Sequence, residues 1–234
     1  MSSSEHENHI GTLSESTLHS QLKEEYARDG DLIEASVGNF VADILRGGHI
    51  IEIQIKNLAA LQNKLEELAK RYTITIVHPI AKEKWIVRES MDRSEVLSRR
   101  KSPKKQNVFN LFEELVHAPL LLGIRGLDLE VVLIQEEEIW VNDTKGSWKR
   151  KGWSIVDRQM LDIVERYRFE EKEDLLALIP DGLDMPFTNK QLAKALGIKN
   201  RIAQKVTYTL RKMNLIQVSG KKGRAFLHRI APNR

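Results

Sequence analysis

Between Val41 and Lys56 the chain reads VADILRGGHIIEIQIK. A Gly47-Gly48 turn divides two short runs of β-type pattern. In the second run Ile51, Ile53 and Ile55 alternate with Glu52, Gln54 and Lys56. Side chains two apart on a strand share a face. One face of this strand is therefore apolar, and the other sets Glu52 beside Gln54. The preceding run adds a second carboxylate, Asp43. Two carboxylates that converge repel each other unless positive charge sits between them, and a hard divalent cation held by oxygen ligands is one such partner.

The pattern around this segment orders the first third of the chain. Leu18, Leu22 and Tyr26 recur at helical spacing within 16–28. Leu32–Ser36, Phe40–Leu45 and Ile50–Lys56 read as three strands joined by short turns, hence antiparallel. Leu58, Leu61, Leu65 and Leu68 mark an amphipathic helix ending near Tyr72. The β-branched run Thr73–Val77 is a buried strand. Because it returns after a helix, it should pair in parallel with an earlier strand through a right-handed crossover.

Further along, Ser98–Lys105 (SRRKSPKK) reads as a basic loop. Val108–Val116 reads as a helix, and Leu129–Gln135 and Ile139–Val141 as two strands. Asp143–Trp153 is a second basic loop with Trp148 and Trp153. Gln159–Leu178, rich in charge and helix formers, reads as one or two helices. After Pro180-Asp181-Gly182, Thr188 is a good N-cap for a helix from Asn189. A second helix, Arg201–Met213, and a hairpin around Gly220–Gly223 follow. Helix, turn, helix and hairpin is the layout of a winged helix.

Charge separates these parts. From Asp181 to Arg234 there are twelve Lys/Arg and two Asp/Glu, whereas the rest of the chain has 25 and 31. A basic module on a mildly acidic body points to a polyanionic partner. The chain contains no cysteine, which removes disulfides, thiolate metal sites and cysteine nucleophiles. A polar start and the lack of an apolar run of membrane-spanning length make a cytoplasmic protein with no membrane partner the expectation. Hydrophobic residues make up 41% of the chain, enough for a real core.

The stretch from Leu18 to Ile80 resembles the PD-(D/E)xK, or restriction-endonuclease-like, nuclease superfamily. The order helix, three strands, helix, strand matches its core. Asp43 falls at the motif aspartate, with Ala42 where proline is usual. Glu52-Ile53-Gln54 falls on the (D/E)-x-K element, with Gln54 where lysine is usual. The Ile-Glu-x-Gln pattern and the first helix, Leu18-His19-Ser20-Gln21-Leu22-Lys23, are most similar to the competence-nuclease-like branch. The expected fold is thus α/β (α+β): a restriction-endonuclease-like mixed sheet flanked by helices, followed by a small winged helix-turn-helix. The expected division is a disordered tail at 1–15, a nuclease-like domain at 16–178 with its core at 16–80, and the winged helix at 179–234.

The resemblance implies a Mg²⁺ (or Mn²⁺) ion held by Asp43, Glu52 and the backbone carbonyl of Gln54. It implies hydrolysis of DNA phosphodiesters, with Glu34 and Lys56 as further catalytic candidates and His19 and Lys23 as helix support. It also brings the homodimer by which such enzymes often cut both strands. Candidate nucleic-acid contacts are Arg99, Arg100, Lys101, Lys104 and Lys105 in the basic loop. In the C-terminal module they are Lys199, Asn200, Arg201, Gln204 and Lys205 at the second helix, and Lys221, Lys222 and Arg224 in the wing. The alternatives are an inactive DNA-binding regulator, or a protein-interaction scaffold, on the same fold.

Overall fold

The computed structural model describes residues 16–232, so the tail expected at 1–15 lies outside the described residues. Helix α1 (Thr17–Tyr26) starts at Ser16, whose hydroxyl accepts from the His19 amide. Strands β1 (Leu32–Val37), β2 (Phe40–Arg46) and β3 (His49–Ile53) follow as an antiparallel meander. A 3-10 turn at Leu58–Leu61 leads into α2 (Gln62–Leu68), and β4 (Thr73–Glu89) returns parallel to β3. Then come β5 (Val96–Lys101), α3 (Phe112–Leu115), β6 (Leu127–Asn142) and β7 (Trp153–Phe169). The sheet order is β1-β2-β3-β4-β6-β7, with β5 also paired to β4. Helices lie on both faces of this mixed sheet, as the α/β expectation requires.

On one face α1 buries Leu18 and Leu22 against Ile44, Ile51, Ile53, Val77, Val132 and Ile134. On the other, Leu65 of α2 and Phe112 of α3 pack with Ile74, Ile76 and Leu129. The same core continues into the C-terminal unit through Leu192, Val206 and Leu210. That unit consists of α4 (Asn189–Ala195), α5 (Asn200–Lys212) and the hairpin β8 (Ile216–Lys222) and β9 (Ala225–Ile230). Thr188 caps α4 in a reciprocal pair with Gln191.

Four expectations for local structure are corrected. The third strand ends at Ile53, so Gln54, Ile55 and Lys56 lie beyond it. Residues 98–101 of the expected basic loop are part of strand β5. The reason is coverage: β3 pairs with only the first five residues of β4, and β5 takes the edge from Trp85 to Glu89. The strands expected at Leu129–Gln135 and Ile139–Val141 are one strand, β6, because β4 and β7 pair along its whole length.

The helix expected from Gln159 is the long strand β7, followed by a 3-10 segment at Lys172–Leu178. Its pairing with β6 skips Val156, Leu161 and Val164, each an extra residue in a bulge. These three aliphatic side chains are exposed. Along the outer border of β7, the Gln21 side chain bonds both backbone groups of Met160. It donates to the carbonyl at 3.3 Å and accepts from the amide at 2.6 Å.

Candidate functional site

The β2–β3 ladder runs from Arg46–His49 to Ile44–Ile51. Just past its end, the Asp43 carboxylate takes the place of a ladder carbonyl: Oδ2 accepts from the Ile53 amide at 2.8 Å. His19 of α1 leans over the same point. Its Nε2 lies 3.1 Å from the Ile53 carbonyl and 3.4 Å from Asp43 Oδ2. A carbonyl can only accept, so Nε2 carries the proton. Burial alone pushes the Asp43 carboxyl up, but His19, the Ile53 amide and nearby Lys64 outweigh it and hold it below the usual carboxylate range.

Glu52, one residue before Ile53, is 5% exposed. Its Oε1 is bonded by Lys64 of α2, and Lys64 Nζ also donates to the Val41 carbonyl at 2.6 Å. Its Oε2 is buried without a hydrogen-bond partner. Burial and the neighbouring Asp43 charge push the Glu52 carboxyl up, more than Lys64 and the Asp43 backbone amide pull it down. The two acids are thus electrostatic neighbours on adjacent strands, with one ammonium within reach of both.

Lys64 is the functional candidate that the sequence reading missed. It lies three residues after Leu61 and four before Leu68, on the apolar stripe of its helix. A cation on such a stripe needs a buried counter-charge, and that was the available signal.

The other expected site residues divide. Glu34 pairs with Lys23 at 2.7 Å, so helix α1 and strand β1 meet there rather than leaving a third carboxylate beside Asp43 and Glu52. Gln54 bends away from Glu52. Its side-chain amide donates to the Lys56 carbonyl at 2.6 Å, and His78 Nδ1 donates to its backbone carbonyl at 2.7 Å. The carbonyl beside Asp43 is that of Ile53, which corrects the expected Gln54 ligand. Lys56 is exposed. His19, Lys23, Glu34, Asp43, Gln54 and Lys56 nonetheless line one cleft of about 900 Å³, walled on its far side by Ile155–Arg158 of β7.

The basic residues of β5 are largely neutralised. Arg99 pairs with Glu137 at 2.5 Å and Lys101 with Glu83 at 2.8 Å, and both stand over the Trp85 ring. Lys105 lies 3.8 Å from Glu83, while Arg100 and Lys104 are exposed. On α5, Arg201, Gln204 and Tyr208 share an exposed face behind Lys199 and Asn200. Lys205 turns inward, 3.9 Å from Glu113 of α3, which removes it from that face. Lys221, Lys222 and Arg224 are exposed around the hairpin turn.

Among the described residues, no three His, Cys, Asp or Glu side chains converge as a metal cage. The donor set is the Asp43 carboxylate and the Ile53 carbonyl at the cleft, with the buried Glu52 carboxylate on the adjacent strand. Glu52 Oε2, buried without a hydrogen-bond partner and close enough to feel the Asp43 charge, is an atom that a divalent cation would satisfy, so the residues present fit one. None of the helices among the described residues is long and apolar enough to cross a membrane.

A family model described as a domain of unknown function, DUF8091, matches residues 16–170. The chain belongs to that family. The DUF8091 unit spans α1 to the end of β7, so it contains the whole sheet and the cleft. The chain is also similar to a protein of Treponema pallidum (strain Nichols), itself described as uncharacterized. The two are 30% identical over 225 residues, covering 95% of this chain and 88% of the relative. No solved structure matches the chain.

Proposed function

We propose that the protein is a metal-dependent nuclease-like enzyme that hydrolyses DNA phosphodiesters, with a restriction-endonuclease-like core and a C-terminal winged helix that positions it on the duplex. The observation that carries this reading is the electrostatic proximity of Asp43, which lines an open cleft, and the buried Glu52 on the adjacent strand, whose Oε2 has no side-chain partner. Burying an unmatched carboxylate oxygen near a second acid costs stability, which a bound cation would offset.

The residues divide the work. Asp43 Oδ2 is fixed by the Ile53 amide, and Glu52 Oε1 by Lys64. Asp43, Glu52 and the Ile53 carbonyl would hold the cation. When bound, it would supply positive charge to the scissile phosphate and acidify a water molecule. His19 Nε2–H orients Asp43 and the Ile53 carbonyl. Lys64 draws the Glu52 carboxyl down against its burial. Lys56, at the mouth of the cleft, offers an ammonium to the phosphate chain. Lys199, Asn200, Arg201 and Gln204 would meet base edges and backbone, and Lys221, Lys222 and Arg224 would meet phosphate.

The test is plasmid cleavage with Mg²⁺ or Mn²⁺, comparing wild type with Asp43→Ala and Glu52→Ala. Cleavage by wild type that both variants lose supports the reading, and cleavage that either variant retains refutes it. A second reading, a DNA-binding regulator without activity, is favoured by the engagement of the Gln54 amide with the Lys56 carbonyl. Duplex binding by all three proteins with cleavage by none would select it.

A further inference from the structure

All four tryptophans of the chain, Trp85, Trp140, Trp148 and Trp153, lie on or between the distal halves of β4, β6 and β7. Arg88 stacks 4.7 Å from the Trp153 ring centre, and Arg150 lies 6.0 Å from that of Trp140. The loop joining β6 to β7 carries the fourth tryptophan. From Thr144 to Val156 the chain has four cations, Lys145, Lys149, Arg150 and Lys151, and no carboxylate. At the loop's tip Trp148 is 90% exposed, the highest value for any large apolar side chain among the described residues.

This exposure belongs to a braced loop. Arg150 Nε donates to the Trp153 carbonyl at 3.0 Å, and the Lys145 amide and the Ser154 hydroxyl both donate to Asp143 Oδ1. Gly146 lies so close to the Trp153 backbone that a Cβ there would overlap it. The loop backbone is therefore ordered, and it holds the indole out into water. An indole between ammonium groups suits a ligand that is flat and aromatic on one side and polyanionic along its length. Unpaired nucleotides have both properties, whereas paired bases keep their faces covered. A membrane surface would also accept Trp and Lys, but insertion calls for further apolar side chains at the tip. Here the neighbours of Trp148 are Ser147 and Lys149.

We propose that the β6–β7 loop, through Trp148, Lys149 and Lys151, binds an unpaired stretch of a nucleic-acid strand. The strands flanking the loop lead back to Ile155–Arg158, which line the cleft. The proposal concerns binding alone and stands whether or not the Asp43–Glu52 cleft cleaves.

The experiment uses the full chain with no divalent metal and a fluorescein-labelled 15-mer of oligo(dT), followed by anisotropy. A 15-bp duplex and vesicles of phosphatidylcholine with phosphatidylglycerol are run in parallel. Trp148→Ala should weaken oligo(dT) binding by about 5- to 150-fold, the range that alanine replacement of one stacking residue gives. Its duplex affinity should change less than about twofold, while Trp148→Phe retains most of the single-strand affinity. Lys149→Ala/Lys151→Ala should lower the slope of log affinity against log salt by about 1.4. Because Trp148 touches so little of the body, an unchanged melting curve separates lost binding from lost fold. Equal oligo(dT) affinity in wild type and Trp148→Ala overturns the proposal. So does wild type that fails to bind oligo(dT), including one that binds the vesicles instead.

Discussion

Replacing Lys64 with methionine is the sharpest probe of the cleft's electrostatics. The Lys64 and Glu52 side chains are 17% and 7% exposed, so their pairing is a mostly buried one. Breaking such a pair by removing one partner typically costs 3–5 kcal/mol, because the other charge stays buried and unmatched. The residual exposure of Lys64 puts the expectation at the low end, about 3 kcal/mol. For a chain of this length that corresponds to a melting point lower by roughly 6–12 °C.

The sign with pH is also fixed. Glu52 is raised above its ordinary value of 4.5 even with Lys64 present. A folded state with a raised carboxyl binds the proton more tightly than the unfolded chain does. Its destabilising effect is therefore full above the folded pKa and fades as the pH falls towards the unfolded value. Lys64→Met should be most damaging at neutral pH and recover towards about pH 4.5. Adding Glu52→Gln to Lys64→Met removes the remaining charge and should restore at least half of the loss at pH 7. Urea unfolding of wild type, Lys64→Met, Glu52→Gln and the double variant at pH 7 and pH 5, in EDTA, reads all of this. A Lys64→Met variant within about 1 kcal/mol of wild type at pH 7, or no recovery from the second substitution, would show that the pair is not coupled as described.

Two further outcomes are expected. Asp43 is held below its ordinary value of 3.8, so it contributes stability above that pH that is lost as the pH falls through its folded pKa. Acid unfolding monitored by circular dichroism should therefore show the wild type losing stability faster than Asp43→Asn below about pH 4. On α5, Arg201→Ala should weaken duplex binding by about tenfold in an anisotropy titration, whereas Lys205→Ala, whose side chain faces Glu113, should change it less than about twofold.

The first third of the chain was the most legible in sequence. There the helix periodicity of Leu18 and Leu22, the Gly47-Gly48 turn and the alternation after it are all local signals, and the structure follows them through Ile53. Legibility failed where partners decide. Nothing within SRRKSPKK says that β4 outruns β3 and needs another strand at its edge. In β7 the period-2 signal is broken three times, because Val156, Leu161 and Val164 are inserted between paired residues. What remains is charged residues and aliphatics at irregular intervals, which resembles a helix face. At the site, Asp43 and Glu52 could be found from spacing on neighbouring strands. The route of Gln54 could not, since it depends on His78 and the loop at Lys56. Lys64 is legible only in hindsight, as a cation among leucines.

The interruptions in β7 also bear on how copies of this protein can meet. An outermost strand ordinarily offers a row of free amides and carbonyls that another chain can zip onto. Here three kinks put that row out of step, and at Met160 the Gln21 side chain already fills the slots where a visiting strand would bond. Strand addition along this border is therefore disfavoured, and two copies of the chain would have to meet through some other part of the surface.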